Sequence, residues 1–254
     1  MGKVITVINQ KGGVGKTTTA LSFGVGLGLK KKKVLIVDLD PQTNLSFIFN
    51  AGTTKPSIYD VFFNKTNIVD TIHKSKNYDF ITSHSDLSLA DTTITKTGKE
   101  YILSEALETI KDQYDYIILD TPPALGILTI NSLTASDCCI ITSQADIFSL
   151  QGIGQLADTI KAIKKYCNSK LIIAGILITR YNSRTILSKD MTFNLESIAK
   201  NINTKVYNTK IRECIAIKES QAMQTDIFTY SKGSNASKDY NAFIKEFMTD
   251  EKRG

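Results

Sequence analysis

Six short segments, 4–8, 34–39, 79–82, 116–119, 138–142 and 171–179, are nearly all apolar, and polar or helix-patterned sequence separates them. A strand with one wet face alternates apolar and polar residues, so unbroken apolar runs belong to strands buried on both faces. Covering both faces of a sheet takes helices on each side, and the β–α alternation from end to end supplies them. The predicted fold is a three-layer α/β/α sandwich around a mostly parallel central sheet. Helices are expected to start at Lys16 and to cover 101–114, 149–167 and 185–202. In the second of these, Ile102, Leu103, Ala106, Leu107 and Ile110 share one face.

At 254 residues, 42% apolar and 22% charged, the chain is at the upper size of a single core. No repeat, low-complexity tract or Pro/Ser-rich linker divides it, so one domain over 1–254 is expected. The longest apolar run, 171–178, falls far short of the roughly 20 residues a membrane-spanning helix needs. The N-terminus lacks the small-residue cleavage site of a signal peptide, which points to the cytoplasm. Residues 1–6 fit the loose myristoylation pattern but also read as a buried strand. Cys138, Cys139, Cys167 and Cys214 have neither zinc spacing nor disulfide density and read as reduced thiols. His73 and His84 read as surface or loop residues. The lysine run 30–33 falls where the first helix should end, where cations oppose the helix dipole, and reads as a solvated helix end.

Between the first strand and the first helix lies Asn9-Gln10-Lys11-Gly12-Gly13-Val14-Gly15-Lys16-Thr17-Thr18. Glycines let the backbone turn tightly and aim consecutive N–H groups at an anion, and the helix start adds its positive end. Phosphate is the anion such a nest holds. Lys16 can reach β- and γ-phosphates, and the Thr17 hydroxyl is placed to ligate Mg²⁺. Two later strands end in carboxylates: Asp38 and Asp40, followed by Pro41-Gln42, and Asp120, followed by Thr121-Pro122-Pro123. Strand C-terminal ends are where open α/β sheets bind ligands. Asp120 has the Walker B placement, holding Mg²⁺ through water.

Gln10 replaces the usual first glycine of the phosphate-loop motif and Lys11 adds a second lysine. This pattern resembles the deviant Walker A motif, K-G-G-x-G-K-[ST], of the ParA/MinD family of ATPases. The resemblance implies that the cofactors are ATP and Mg²⁺, bound by Lys11, Gly12, Gly13, Val14, Gly15, Lys16, Thr17 and Thr18. It further implies that Lys11 contacts the partner's phosphates across an ATP-sandwiched homodimer, that Asp40 positions the attacking water, and that Asp38 supports the Mg²⁺ shell. Residues around 211–220 of relatives hold adenine, which here selects Ile211 and Glu213; Ile211 stands where relatives often have Pro. Segments 121–123, 128–133, 148–152, 178–185 and 211–220 are similar to the ParA/Soj partition branch.

The formal charge is +6, unevenly spread. Residues 161–218 contain twelve basic and three acidic side chains, a window of +9 that leaves −3 for the rest. In the ParA branch such charge implies nonspecific, salt-dependent binding to double-stranded DNA by the ATP-closed dimer. Arg184 and Arg212 match DNA-contacting positions of relatives, and Lys205, Lys210 and Lys218 follow on charge alone; any single lysine reads equally as a solvated surface residue. A ParB-like partner is implied as the stimulator of slow hydrolysis, and a nucleoid-associated cytoplasmic protein as the setting. No helix-turn-helix precedes the loop, so operator binding is not expected.

A MinD-like membrane-cycling ATPase is the alternative. It needs an interfacial C-terminal helix. Tyr240, Phe243, Ile244, Phe247 and Met248 recur at helical spacing, but both charge signs mix on the opposite face, whereas interfacial helices are dominated there by Lys and Arg. A helix packed on the domain is expected, with no membrane partner. Cluster carriers of the same fold need cysteines directly after Walker B or a C-x-x-C pair, and the sequence has neither; a DNA-packing protein without catalysis leaves Lys16, Thr17, Asp40 and Asp120 unexplained.

Overall fold

The computed structural model describes residues 2–52 and 55–252, and only the backbone of Phe148, Ile186 and Leu187 within them. Met1 of the myristoylation pattern lies outside the described residues. Six strands form one sheet: β1 (Lys3–Ile8), β2 (Val34–Asp38), β3 (Asp79–Ile81), β4 (Tyr116–Asp120), β5 (Cys138–Ser143) and β6 (Ile172–Ile178). Their order is β3-β2-β4-β1-β5-β6, and every pairing is parallel. The sheet is therefore all-parallel rather than mostly so. The main helices are α1 (Lys16–Leu29), α2 (Asn44–Phe49), α3 (Ile102–Glu108), α4 (Ile127–Ala135), α5 (Ile147–Tyr166), α6 (Ile186–Asn201), α7 (Ile215–Ala222) and α8 (Asn235–Glu251).

Alternate residues of each strand enter different layers. Ile5 and Val7 of β1 pack with Phe23 and Leu27 of α1, while Val4 and Ile8 face helices on the other side. Both sides of the central strands are buried, which is why their sequences do not alternate.

The α1 helix is unusual in carrying Gly24, Gly26 and Gly28, each a propensity cost of about 1 kcal/mol relative to Ala. Packing explains them. A side chain at Gly24 would collide with Ile36 of β2, one at Gly26 with Ile244 of α8, and one at Gly28 with the backbone carbonyl of Asn77. The glycines let α1 sit directly on the sheet, on the C-terminal helix and on the loop before β3.

In α8, Tyr240, Phe243, Ile244 and Phe247 are at most 2% exposed. Phe23 meets Phe243 and Phe247 at ring-centroid distances of 5.3 and 4.9 Å. Its apolar face is thus committed to the core, as the sequence predicts. The expected helix 101–114 is instead broken: a 3₁₀ turn at Lys99–Tyr101 leads into α3, and a second follows at Lys111–Gln113. Thr109 bonds back through Oγ1 to the Ala106 carbonyl (2.7 Å), competing with the helical ladder. The buried face of Ile102, Leu103, Leu107 and Ile110 survives the break.

Candidate nucleotide site

The sheet order puts the end of β1 between β4 and β5, so the loop after β1 lies against the ends of both neighbours. Asn9 starts the turn: its Oδ1 accepts the Lys11 N–H (2.8 Å) and its Nδ2 donates to the Thr142 carbonyl. Gly13 (φ 75°) and Gly15 (φ 79°) adopt the left-handed backbone that only glycine takes at little cost, and Gly15 caps α1. Thr179 Oγ1 donates to the Val14 carbonyl (2.9 Å) and Gln144 Nε2 to the Gly13 carbonyl (2.9 Å), pinning the loop from β6 and from the loop after β5. Lys16 is 7% exposed, and its Nζ donates to the Lys11 carbonyl (3.1 Å), lying along the loop it would share with a phosphate.

Asp38 and Asp120 are register partners on β2 and β4, fully buried side by side. Their surroundings differ. Asp38 Oδ1 accepts the Asp40 N–H (3.0 Å), and Oδ2 accepts Ser46 N–H and Oγ–H (2.8 and 2.7 Å). These bonds shape the turn that carries Asp40, whose own Oδ1 accepts the Gln42 N–H (2.9 Å). Neither oxygen of Asp120 has a well-formed hydrogen bond, although the Thr17 hydroxyl is near enough to influence it. Burial pushes Asp38 up to about 6 against the pull of Ser46 and Asp40 N–H. Burial and then the charge of Asp38 push Asp120 well above the ordinary carboxylate range, opposed by Thr17 and Lys16. Burial also lowers Lys16, with Asp120 and Asp40 holding it up. A buried, unpartnered carboxylate beside a hydroxyl and an ammonium is poised for a cation. Among the described residues no cluster of three or more His, Cys, Asp or Glu is arranged to hold an ion alone. A divalent cation here would take Thr17, Asp120 through water, and oxygen from its own ligand.

A cleft of about 320 Å³ runs from the loop past Asp40 to the segment 211–221. Ile211 and Glu213 line it, as do Cys214, Ile217 and Gln221, which the sequence reading did not single out. Gln221 Nε2 donates to Thr18 Oγ1 (3.0 Å), tying α7 to the first turn of α1. Asp239, at the start of α8, accepts three bonds from Arg212: backbone N–H (3.0 Å), Nε (2.9 Å) and Nη2 (2.6 Å). The next residue, Tyr240, shares a hydroxyl hydrogen bond with Thr19 (3.1 Å). One end of α8 thus holds both the far wall of the cleft and the helix behind the phosphate loop.

The remaining candidates divide. Lys11 Nζ contacts both Asp146 oxygens (2.9 and 2.8 Å) and Ser149 Oγ (3.4 Å) within its own chain. Arg184 is exposed in the loop after β6; Lys218 is exposed at the cleft; Lys210 lies 4.8 Å from the Tyr181 ring centroid. Lys205 pairs with Asp250 and Arg212 with Asp239, so these two are engaged inside the chain.

A glycine anion nest opening a helix, set against acidic strand ends of a parallel sheet, gives the chain the fold of the P-loop NTPases. The family described as "AAA domain" matches residues 2–173. The sporulation initiation inhibitor protein Soj of Bacillus subtilis is 37% identical over 97% of this chain and 98% of its own. The chromosome partitioning protein ParA of Caulobacter vibrioides is 32% identical over 98% and 95%. Among solved structures, cobyrinic acid a,c-diamide synthase from Mycobacterium smegmatis with bound ADP and magnesium aligns with a TM-score of 0.83 at 30% identity, covering 96% of this chain and 93% of that one. The chain belongs to the AAA domain family and, within it, to the Soj/ParA group.

Proposed function

We propose that this protein is a Mg²⁺-dependent ATPase of plasmid or chromosome partition, a single-domain cytoplasmic protein that dimerises on ATP, binds double-stranded DNA without sequence preference and releases it after hydrolysis stimulated by a ParB-like partner. The observation that carries the reading is the Asp120 carboxylate, buried without a proper partner beside Thr17 and Lys16 at the mouth of the phosphate loop. Mg²⁺, when bound, supplies charge neutralisation to the phosphate oxygens. The chain supplies the rest. Loop amides and Lys16 orient the β- and γ-phosphates. Asp40, held by the Gln42 N–H, positions water for in-line attack, and Asp38 fixes that turn. Ile211 and Glu213 flank the adenine. Supplying Lys11 to the partner's phosphates exchanges its Asp146 contact for an intersubunit one, which ties activity to pairing.

The burial of the apolar face of α8 favours this reading over a membrane-cycling one, and no described helix is long and apolar enough to cross a membrane. Co-sedimentation with DNA in ATP, ADP and no nucleotide, with liposomes in parallel, tests it. Retention on DNA that ATP raises well above the level seen with ADP or without nucleotide is expected. Equal retention in all three states, or ATP-dependent capture by liposomes, overturns it.

A further inference from the structure

The end of the sheet remote from the nucleotide cleft has its own concavity. Because all strands are parallel, the segments that enter β2, β3 and β4 share one pole, and these three strands are neighbours. Their entries enclose a hollow of about 520 Å³ lined by Lys32, Lys33, Lys74 and Lys76 with Tyr78 and Tyr114. Lys30 and Lys31 extend the basic surface along the end of α1. Asp79 is the acid within the hollow, and it is already engaged by Lys74 (2.6 Å) and the Tyr114 hydroxyl (2.7 Å). Asp115, at the rim, accepts the Lys33 backbone N–H (2.8 Å). Among the described residues, none of the lysines at 30, 31, 32, 33 and 76 forms an ion pair.

Helix-dipole compensation accounts for one or two of these cations but not for the convergence of two separate segments. Two features show how the fold assembles it. Gly28 admits the Asn77 backbone against α1, which brings the 74–76 loop beside Lys32 and Lys33. Lys31 and Lys32 N–H close the helix on the Gly28 and Leu27 carbonyls (2.8 and 3.3 Å), with Lys31 at φ 63°. That is the position where helix ends favour glycine, so a lysine is kept there at conformational cost.

We propose that this hollow is a second nucleic-acid surface, gripping the phosphate backbone of duplex DNA whatever nucleotide the distant cleft holds. Lysines are flexible point charges without the paired donors that read bases, and the concavity is open, so it fits passing backbone phosphates. The proposal goes beyond the ATP-dependent DNA binding of the proposed function and stands or falls separately from it. Its role is to keep the protein weakly tethered to DNA in the ADP state, while the ATP-formed surface adds strong retention.

The test is the salt dependence of duplex DNA binding by the full chain saturated with ADP, comparing the parent with Lys32→Glu/Lys33→Glu/Lys76→Glu. Each neutralised phosphate contributes roughly 0.9 to the slope of log K against log salt. The triple variant should lose more than about tenfold in affinity at low salt and about 2–3 in slope, with nucleotide affinity and ATP-dependent dimerisation unchanged. Unchanged affinity and slope overturn the proposal. If the triple variant loses nucleotide binding, Lys33→Ala/Lys76→Ala is read instead, with a slope loss of about 1–2 expected and none fatal. In a competition arm with ADP held saturating, tripolyphosphate should displace DNA no better than chloride of equal ionic strength. One tripolyphosphate bound per chain with exclusion of DNA would make the hollow a small-anion site and overturn the DNA assignment. ADP-state binding lost in the variant, with no ATP effect in the parent, would support the hollow and sink the partition reading.

Discussion

At the C-terminal ends of the strands Lys16, Asp38, Asp40 and Asp120 are all less than a tenth exposed, whereas at the N-terminal ends Lys31, Lys33, Lys74 and Lys76 stand in solvent. The same parallel sheet separates the two kinds of charge. Burial displaces the protonation of Lys16, Asp38 and Asp120, and each charge there matters alone. Exposed lysines are screened, interchangeable and effective only in number. The first pole is suited to chemistry on one ligand, the second to holding a polyanion.

Single substitutions should therefore be drastic at one pole and mild at the other. Lys16→Ala is expected to lower ATP hydrolysis by about 10²–10³-fold, measured by phosphate release, and to abolish ATP-dependent DNA retention. Asp120→Asn should stop hydrolysis while stabilising the nucleotide-free protein wherever pH is high enough to ionise Asp120, raising Tm there by about 3 °C or more, because it removes a buried charge without a proper partner. The pH dependence gives the sign. Asp38 and Asp120 hold protons more tightly folded than unfolded. The parent should lose stability as pH rises from the unfolded carboxylate range near 4 through about 6, the folded value of Asp38, and further as Asp120 ionises. Asp120→Asn should flatten part of that fall, which thermal melts across pH would read.

Asp239→Asn should raise the KM for ATP about tenfold with kcat nearly unchanged, since it loosens the Arg212 segment that walls the cleft, a loss of roughly 1.4 kcal/mol in binding. Arg184→Glu is the contrasting probe: it should weaken ATP-state DNA retention and leave KM alone. Equal effects of both substitutions on both readouts would erase the distinction between wall and DNA surface. The smallest effect belongs to the lysine pole, where Lys31→Gly should stabilise the fold by about 0.5–1 kcal/mol in denaturant melts by relieving the left-handed backbone.

The six strands were legible to within a residue at most ends because continuous apolar runs have no other reading in a β–α alternation. The phosphate loop was legible because its signal is local. What escaped the sequence is what depends on contact between distant segments: Gln221 on Thr18, Asp239 on Arg212 and Asp146 on Lys11 each join residues far apart in the chain. Charge summed along 161–218 also hid its distribution in space. Arg212 and Lys218 reach the cleft, Lys205 turns to α8, and Lys164 and Lys165 end α5 at the opposite pole. The helix break after Glu108 was missed because apolar spacing continues through Ile110 while Thr109 turns the backbone.

The packing of α8 on α1 joins a helix made late to one made early. On the ribosome, Phe23 and its neighbours emerge early and stay without their aromatic cover until the 17-residue α8 is released. Asp239, which steadies the cleft wall, arrives with that same helix. A nascent chain thus exposes apolar surface and lacks a finished nucleotide pocket until α8 has emerged, and both conditions end together when it packs. Loss of α8, by truncation or by proteolysis, should be felt first at the packing of α1.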